Sequence, residues 1–170
     1  MRAARATCVI VMGVAGSGKT TLARALALEL GVSYIESDDY HSTSDIEKMA
    51  AGVPLDDQDR IPWLDAIGVT LCTANREGTS TVTACSALKR RYRDLLRTFV
   101  PDAFFVELDG DPDLIFARMA ARRHHFMPPE LLTSQFAALE PLEVDERGIR
   151  IDVALSSHEI TEIATMAISA

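Results

Sequence analysis

An apolar run, Thr7-Cys8-Val9-Ile10-Val11-Met12, leads straight into Gly13-Val14-Ala15-Gly16-Ser17-Gly18-Lys19-Thr20, and the stretch TLARALALELG follows. No other segment restricts the fold as tightly. GxxxxGK[ST] is matched without a mismatch, and its glycines let the backbone curl so that successive N–H groups point inward. The helix that follows presents its positive end to the same point, which makes the turn a grip for nucleotide phosphates. Lys19 is expected to bridge the β- and γ-phosphates and the Thr20 hydroxyl to ligate Mg²⁺. Residues Gly13 to Thr20, with the adjoining Thr21, form the expected ATP-binding set.

A strand–turn–helix unit of this kind belongs in a parallel sheet, and the rest of the chain agrees. Further strands are expected at Ser33–Glu36, Ser80–Cys85, Ala103–Leu108 and Arg150–Leu155. Helical patterns separate them, at Lys19–Leu30, Asp45–Ala51, Pro62–Asn75, Arg90–Phe99, Pro112–Arg122 and Pro129–Leu139, and one more follows at His158–Ile168. Such alternation implies an α/β fold with right-handed crossovers. With 170 residues, 48% of them apolar, and no linker or repeat, one domain over 1–170 is expected. Two polar, Pro-bearing segments interrupt the alternation beyond strand ends, where ligands of open α/β sheets bind: 37–63, expected to bind substrate, and 123–142, expected to be a lid.

The net charge of −8 gives no long-range attraction to nucleic acid or anionic lipid. The three cysteines, Cys8, Cys72 and Cys85, show no CxxC spacing and read as buried thiols in a reducing, cytoplasmic setting. The N-terminus resembles a signal peptide, but the phosphate loop sits where cleavage would fall. No apolar run reaches the roughly 20 residues that span a bilayer.

Among proteins with this grip, a GTPase-type switch should carry NKxD, which is absent; DAIG at Asp65–Gly68 lies within a helical pattern and reads as chance. A mechanical ATPase needs an acidic residue closing an apolar strand, whereas STVTACSA ends in Cys85-Ser86. A small-molecule kinase remains. SDDYH follows the second expected strand, so Asp38 can accept a proton from a substrate hydroxyl and His41 can contact substrate or hold the loop. Lys89 and Arg93 in CSALKRRYRDLLR, four apart on one helical face, could clamp a carboxylate, with Arg60 and Lys48 as further cations. In DPDLIFARMAARRHHF, Arg118 and Arg122 share a face and could stabilise the transferring phosphoryl group or stack on adenine. The neighbouring His124 and His125 are rejected as a metal site, since no Cys/His cluster accompanies them. Gln135, on the expected lid helix, is a further polar contact.

GVAGSGKT, DDYH, IEKMAAGVPLDDQDRIPWL, CSALKRRYRDLLR, HFMPPELLTSQFAALEPL and DVALSSHEITEIA occur together and in order. In this the chain resembles the gluconate kinases of the thermoresistant, P-loop type, from about Val9 to the final helix. The resemblance implies ATP-dependent phosphorylation of D-gluconate to 6-phosphogluconate, a nucleoside-monophosphate-kinase-like fold with a five-stranded parallel sheet and a lid, and a homodimer. It places the phosphate loop on Gly13 to Thr20, the substrate-side acid and histidine on Asp38 and His41, and basic substrate contacts on Lys48, Arg60, Lys89 and Arg93. Arg122 joins Lys19 and Asp38 as the expected catalytic set, and His125 and Gln135 join the substrate contacts. Shikimate kinase is a rival on the same scaffold, but a glycine-rich turn is expected there where this chain has CSA. A non-catalytic nucleotide-binding module would leave Lys19, Asp38 and Arg122 idle. Two departures stand out. Ser42 replaces the usual proline after His41, so that loop should be looser, and His124 stands where the family has glycine.

Overall fold

The structure, a computed structural model, describes residues 6–121 and 128–170. Its five strands are β1 (Cys8–Met12), β2 (Ser33–Glu36), β3 (Thr81–Ala84), β4 (Phe104–Asp109) and β5 (Gly148–Asp152). They lie in the order β2-β3-β1-β4-β5 and every neighbouring pair is parallel. Parallel neighbours need crossovers. These are α1 (Lys19–Leu30) after β1, α2 (Thr43–Ala50) and α3 (Asp57–Arg76) after β2, α4 (Arg90–Phe99) after β3, and α5 (Pro112–Ala120) and α6 (Pro129–Ala138) after β4; α7 (Ser157–Ser169) closes the described chain. The expected α/β class, with a five-stranded parallel sheet, is what the chain adopts.

Both faces of β1 are covered, which is why its sequence is apolar throughout instead of alternating. Val9 and Val11 join a core with Leu22 and Leu26 of α1 and Ile160 and Ala164 of α7. Cys8, Ile10 and Met12 point the other way, into Trp63, Ile67 and Leu71 of α3 and Tyr92 and Leu96 of α4. The chain leaves β1 toward β3 and β2, then returns past it to β4 and β5. The carboxyl end of β1 is therefore the switch point at which open α/β sheets bind ligands.

The structure departs from the sequence reading in four places. Helix α3 begins at Asp57, well before Pro62, because Asp56 and Asp59 form a reciprocal cap: each carboxylate accepts the other's backbone N–H, at 3.0 and 3.1 Å. The last seven residues of the segment read as a polar insertion, 57–63, are thus the first turns of a crossover helix, with Pro62 inside it. At Ser42, read as a looser link, the backbone sits where a proline would put it, at a φ of −66°, and the residue caps α2 reciprocally with Asp45. Helix α5 stops at Ala120, short of Arg122, and Cys72 is only partly buried, unlike Cys8 and Cys85. The expectations placed on Arg122, His124 and His125 lie outside the described residues.

Candidate active site

The turn after β1 leaves the sheet through Gly13 and ends at Gly18, whose φ of +100° lets it stand as N-cap of α1 without a side chain. No acidic residue occupies the first turn of α1 and no side chain caps it. The helix therefore starts with neither a capping side chain nor an acid of its own first turn at the positive end of its dipole. Lys19 Nζ donates to the Val14 carbonyl at 3.0 Å, which folds the lysine back over the loop.

Two hollows meet at this turn. The larger, about 500 Å³, contains Ala15, Lys19, Thr20, Asp38, His41 and Arg60. The smaller, about 360 Å³, runs past Ser17 and Thr21 to Arg118, Val153, Leu155 and Ile160. Gly16, Gly18 and Thr21 border both, so the loop is the threshold between them. Arg118 reaches the Val153 carbonyl at 2.8 Å and forms part of the smaller hollow's wall.

The Asp38 side of the larger cleft is held by aromatic packing. Ser37–Tyr40 form a single 3₁₀ turn after β2, and buried Trp63 donates its indole N–H to the Ser37 carbonyl at 2.8 Å. The His41 ring stacks on Trp63, 4.4 Å between centroids and 8° from parallel, with Asp38 and Asp45 at 3.8 and 3.7 Å from its two nitrogens. Burial lowers the His41 pKa despite these two carboxylates, so the ring is neutral at pH 7. Trp63 is core packing, and it also fixes the turn that carries Asp38.

Arg60 is the cation this cleft receives from α3. Its hydrogen bonds go to neutral groups, the Leu55 carbonyl at 3.4 Å and the Ser86 hydroxyl at 3.5 Å, and its guanidinium lies 6.0 Å from the rings of Trp63 and Tyr92. Burial lowers its pKa from the ordinary arginine value, though it stays charged. A largely desolvated guanidinium with only weak neutral partners is a ready anion site.

The other expected cations are not brought into the cleft. Lys48 pairs with Asp59 at 2.6 Å and Lys89 with Asp57 at 3.0 Å. Lys89 is the N-cap of α4, so it is not in the helix with Arg93 and the shared-face inference fails. Arg93 is fully buried. It binds Glu146 through two 2.7 Å bonds and donates to the carbonyls of Leu88, Glu140 and Pro141 at 3.2, 2.9 and 3.3 Å. It ties down the chain after α6, where the Leu142 amide also binds buried Glu107 at 2.8 Å. The charge pattern alone could not separate an arginine aimed at substrate from one aimed at a glutamate 53 residues away.

Glu36 is a site residue the sequence reading missed. At the end of β2 it accepts from Thr20 Oγ1 at 3.3 Å, from the Tyr34 hydroxyl and, weakly, from the Asp38 amide at 3.5 Å. Its signal in the sequence is a carboxylate that closes the second strand, where β3 ends without one. Gln135 of α6 lies in the larger cleft, and its Oε1 accepts the Ala15 N–H at 2.7 Å.

A phosphate loop at the switch point, a second hollow on one side and a cleft with Asp38 and Arg60 on the other are the arrangement of a P-loop small-molecule kinase. A family model described as an AAA domain matches residues 8–142. The chain is 43% identical to the thermosensitive gluconokinase of Escherichia coli K12 over 162 residues, covering 95% of this chain and 87% of that protein. It is 40% identical to the thermoresistant gluconokinase of the same organism, with 84% and 81% covered. A solved gluconokinase of Sinorhizobium meliloti 1021 superposes with a TM-score of 0.89 at 40% identity, over 97% of this chain and 93% of that one. The chain belongs to the gluconokinase family.

Proposed function

We propose that this protein transfers the terminal phosphoryl group of ATP to the terminal hydroxyl of D-gluconate, giving 6-phosphogluconate. The observation that carries the reading is the joining of the two hollows at the phosphate loop, with Asp38 and Arg60 in the cleft on the acceptor side. Gluconokinase relatives across most of the chain's length support it. The base would lie in the smaller hollow by Arg118, with the phosphates along Gly16–Thr20. Lys19 would neutralise charge on the transferring group, and Asp38 would accept the hydroxyl proton as the new P–O bond forms. Arg60 would hold the substrate carboxylate, while His41 and Trp63 keep Asp38 in position.

Mg²⁺ fits the oxygen donors present. The Thr20 hydroxyl would ligate it, and the Glu36 carboxylate beside that hydroxyl would hold one of its waters. Bound there, the ion would draw charge from the phosphate oxygens. Among the described residues no group of three or more His, Cys, Asp or Glu gathers, which suits an ion carried mainly by phosphates and water.

We further read the chain as one kinase domain, with 37–63 serving substrate and 123–142 forming the lid, acting as a cytoplasmic homodimer. No helix among the described residues is long and apolar enough to cross a membrane. The test is to incubate the protein with ATP, Mg²⁺ and a panel of sugar acids, and follow ADP. Gluconate-dependent ADP with a new phosphomonoester is expected. Release of ADP without any acid, or preference for shikimate, would overturn the proposal.

A further inference from the structure

We infer that Gln135 is a gate for the terminal phosphate, a residue that makes the phosphate loop discriminate ATP from ADP. This rests on the reading that the loop holds a nucleotide with its base in the smaller hollow. Ser17 borders only that hollow, Gly16 and Gly18 border both, and Ala15 borders only the larger cleft, with Lys19 and Asp38. Phosphates running from the base hollow over Gly16 and Gly18 therefore come to the Ala15 amide last. ADP ends before it.

That amide already has a partner. Gln135, on α6 and 120 residues along the chain, accepts its N–H at 2.7 Å, a short and well-formed bond for neutral groups. One N–H makes one strong hydrogen bond, so the carboxamide oxygen and a terminal phosphoryl oxygen compete for it. The loop has little freedom to serve both by turning. A Cβ built at Gly16 would fall 2.4 Å from the side chain of Met119 in α5, so the apex is pressed by α5 while Gln135 holds it from α6.

ATP must displace the glutamine, and ADP need not. Once the phosphoryl group has left for the acceptor, Gln135 regains the Ala15 amide and fills the position just vacated. The lid helix thereby opposes return of the group to ADP.

The test compares binding of ADP and of a non-hydrolysable ATP analogue, both with Mg²⁺, by titration calorimetry on the whole chain. Gln135→Met keeps length and helix propensity but removes the acceptor. The analogue is expected to bind about five-fold tighter, the net worth of one neutral hydrogen bond, while ADP changes by less than about two-fold. Gln135→Glu should act oppositely, because a carboxylate holds the amide harder and repels phosphate; the analogue should weaken by about ten-fold or more, and ADP much less. Equal changes for both nucleotides, no change in either variant, or weaker analogue binding in Gln135→Met would overturn the gate. Wild-type protein that binds neither nucleotide would overturn the underlying site reading, and the gate with it.

Discussion

Replacing Arg93 with methionine should unfold the protein more readily and leave its gluconate KM close to wild type. The side chains of Arg93 and Glu146 are both wholly excluded from solvent and meet through two 2.7 Å bonds. Removing one partner of a buried pair costs about 3–5 kcal/mol, because the remaining charge has lost its counter-ion. Here Glu146 keeps Arg97 at 2.7 Å and the Glu143 amide at 3.0 Å, which points to the lower end of that range. The carbonyls of Leu88, Glu140 and Pro141 nevertheless lose their donor. A loss of about 3 kcal/mol in a chain of this size lowers Tm by about 6–12 °C, readable by circular dichroism at pH 7. Combining Arg93→Met with Glu146→Leu should return part of the loss, since an apolar pair leaves no bare charge.

Acid supplies a second readout of the same pair. Burial pushes the Glu146 carboxyl up, but hydrogen bonds from Arg93, the Glu143 amide and Arg97 outweigh it and hold the pKa at about 2, below the ordinary 4.5. Its folded value is the lower one, so its contribution is complete above pH 4.5 and is lost as pH falls toward 2. The Tm gap between wild type and Arg93→Met should narrow across that interval. A gap under about 2 °C at pH 7, accompanied by a several-fold rise in gluconate KM, would refute the structural role and return Arg93 to the substrate site.

Lys19→Ala should abolish turnover while Tm stays near wild type; activity within a few-fold of normal would remove Lys19 from the phosphate grip. Asp38→Asn should lower kcat far more than it weakens nucleotide binding, measured by steady-state kinetics beside calorimetry. Arg60→Met should raise the gluconate KM by ten-fold or more, roughly the value of a charge-assisted hydrogen bond, with ATP affinity little changed. Glu36→Gln should raise the Mg²⁺ concentration needed for half-maximal rate and weaken Mn²⁺ binding to the nucleotide complex, followed by electron paramagnetic resonance.

Local signals were strong enough to give the frame of the molecule. The run before Gly13, the loop motif and the alternating apolar segments each mark structure over a few residues, and they place β1, α1 and the parallel sheet directly. The start of α3 was hidden because Pro62 looks like a first-turn proline, whereas the Asp56–Asp59 cap, whose N-cap lies six residues before Pro62, decides the matter. Asp38, His41 and Arg60 were legible as cleft residues because each lies just past a strand end or in the polar segment that follows. Lys48, Lys89 and Arg93 were misplaced for one reason. Each finds a carboxylate distant in sequence, Asp59, Asp57 or Glu146, and a charge count along the chain does not say which acids fold against which bases.

The clasp around Arg93 also fixes where α6 can swing. Downstream of that helix, the carbonyls of Glu140 and Pro141 are pinned by the guanidinium, the Glu140 amide by Leu88 and the Leu142 amide by Glu107. Any excursion of α6 over the bound sugar acid must accordingly turn about a fulcrum at Leu139–Glu140, carrying Gln135 through an arc about one helical turn from the pivot. A short lever of that kind moves its glutamine by a few ångströms only, a stroke suited to making or releasing a single contact.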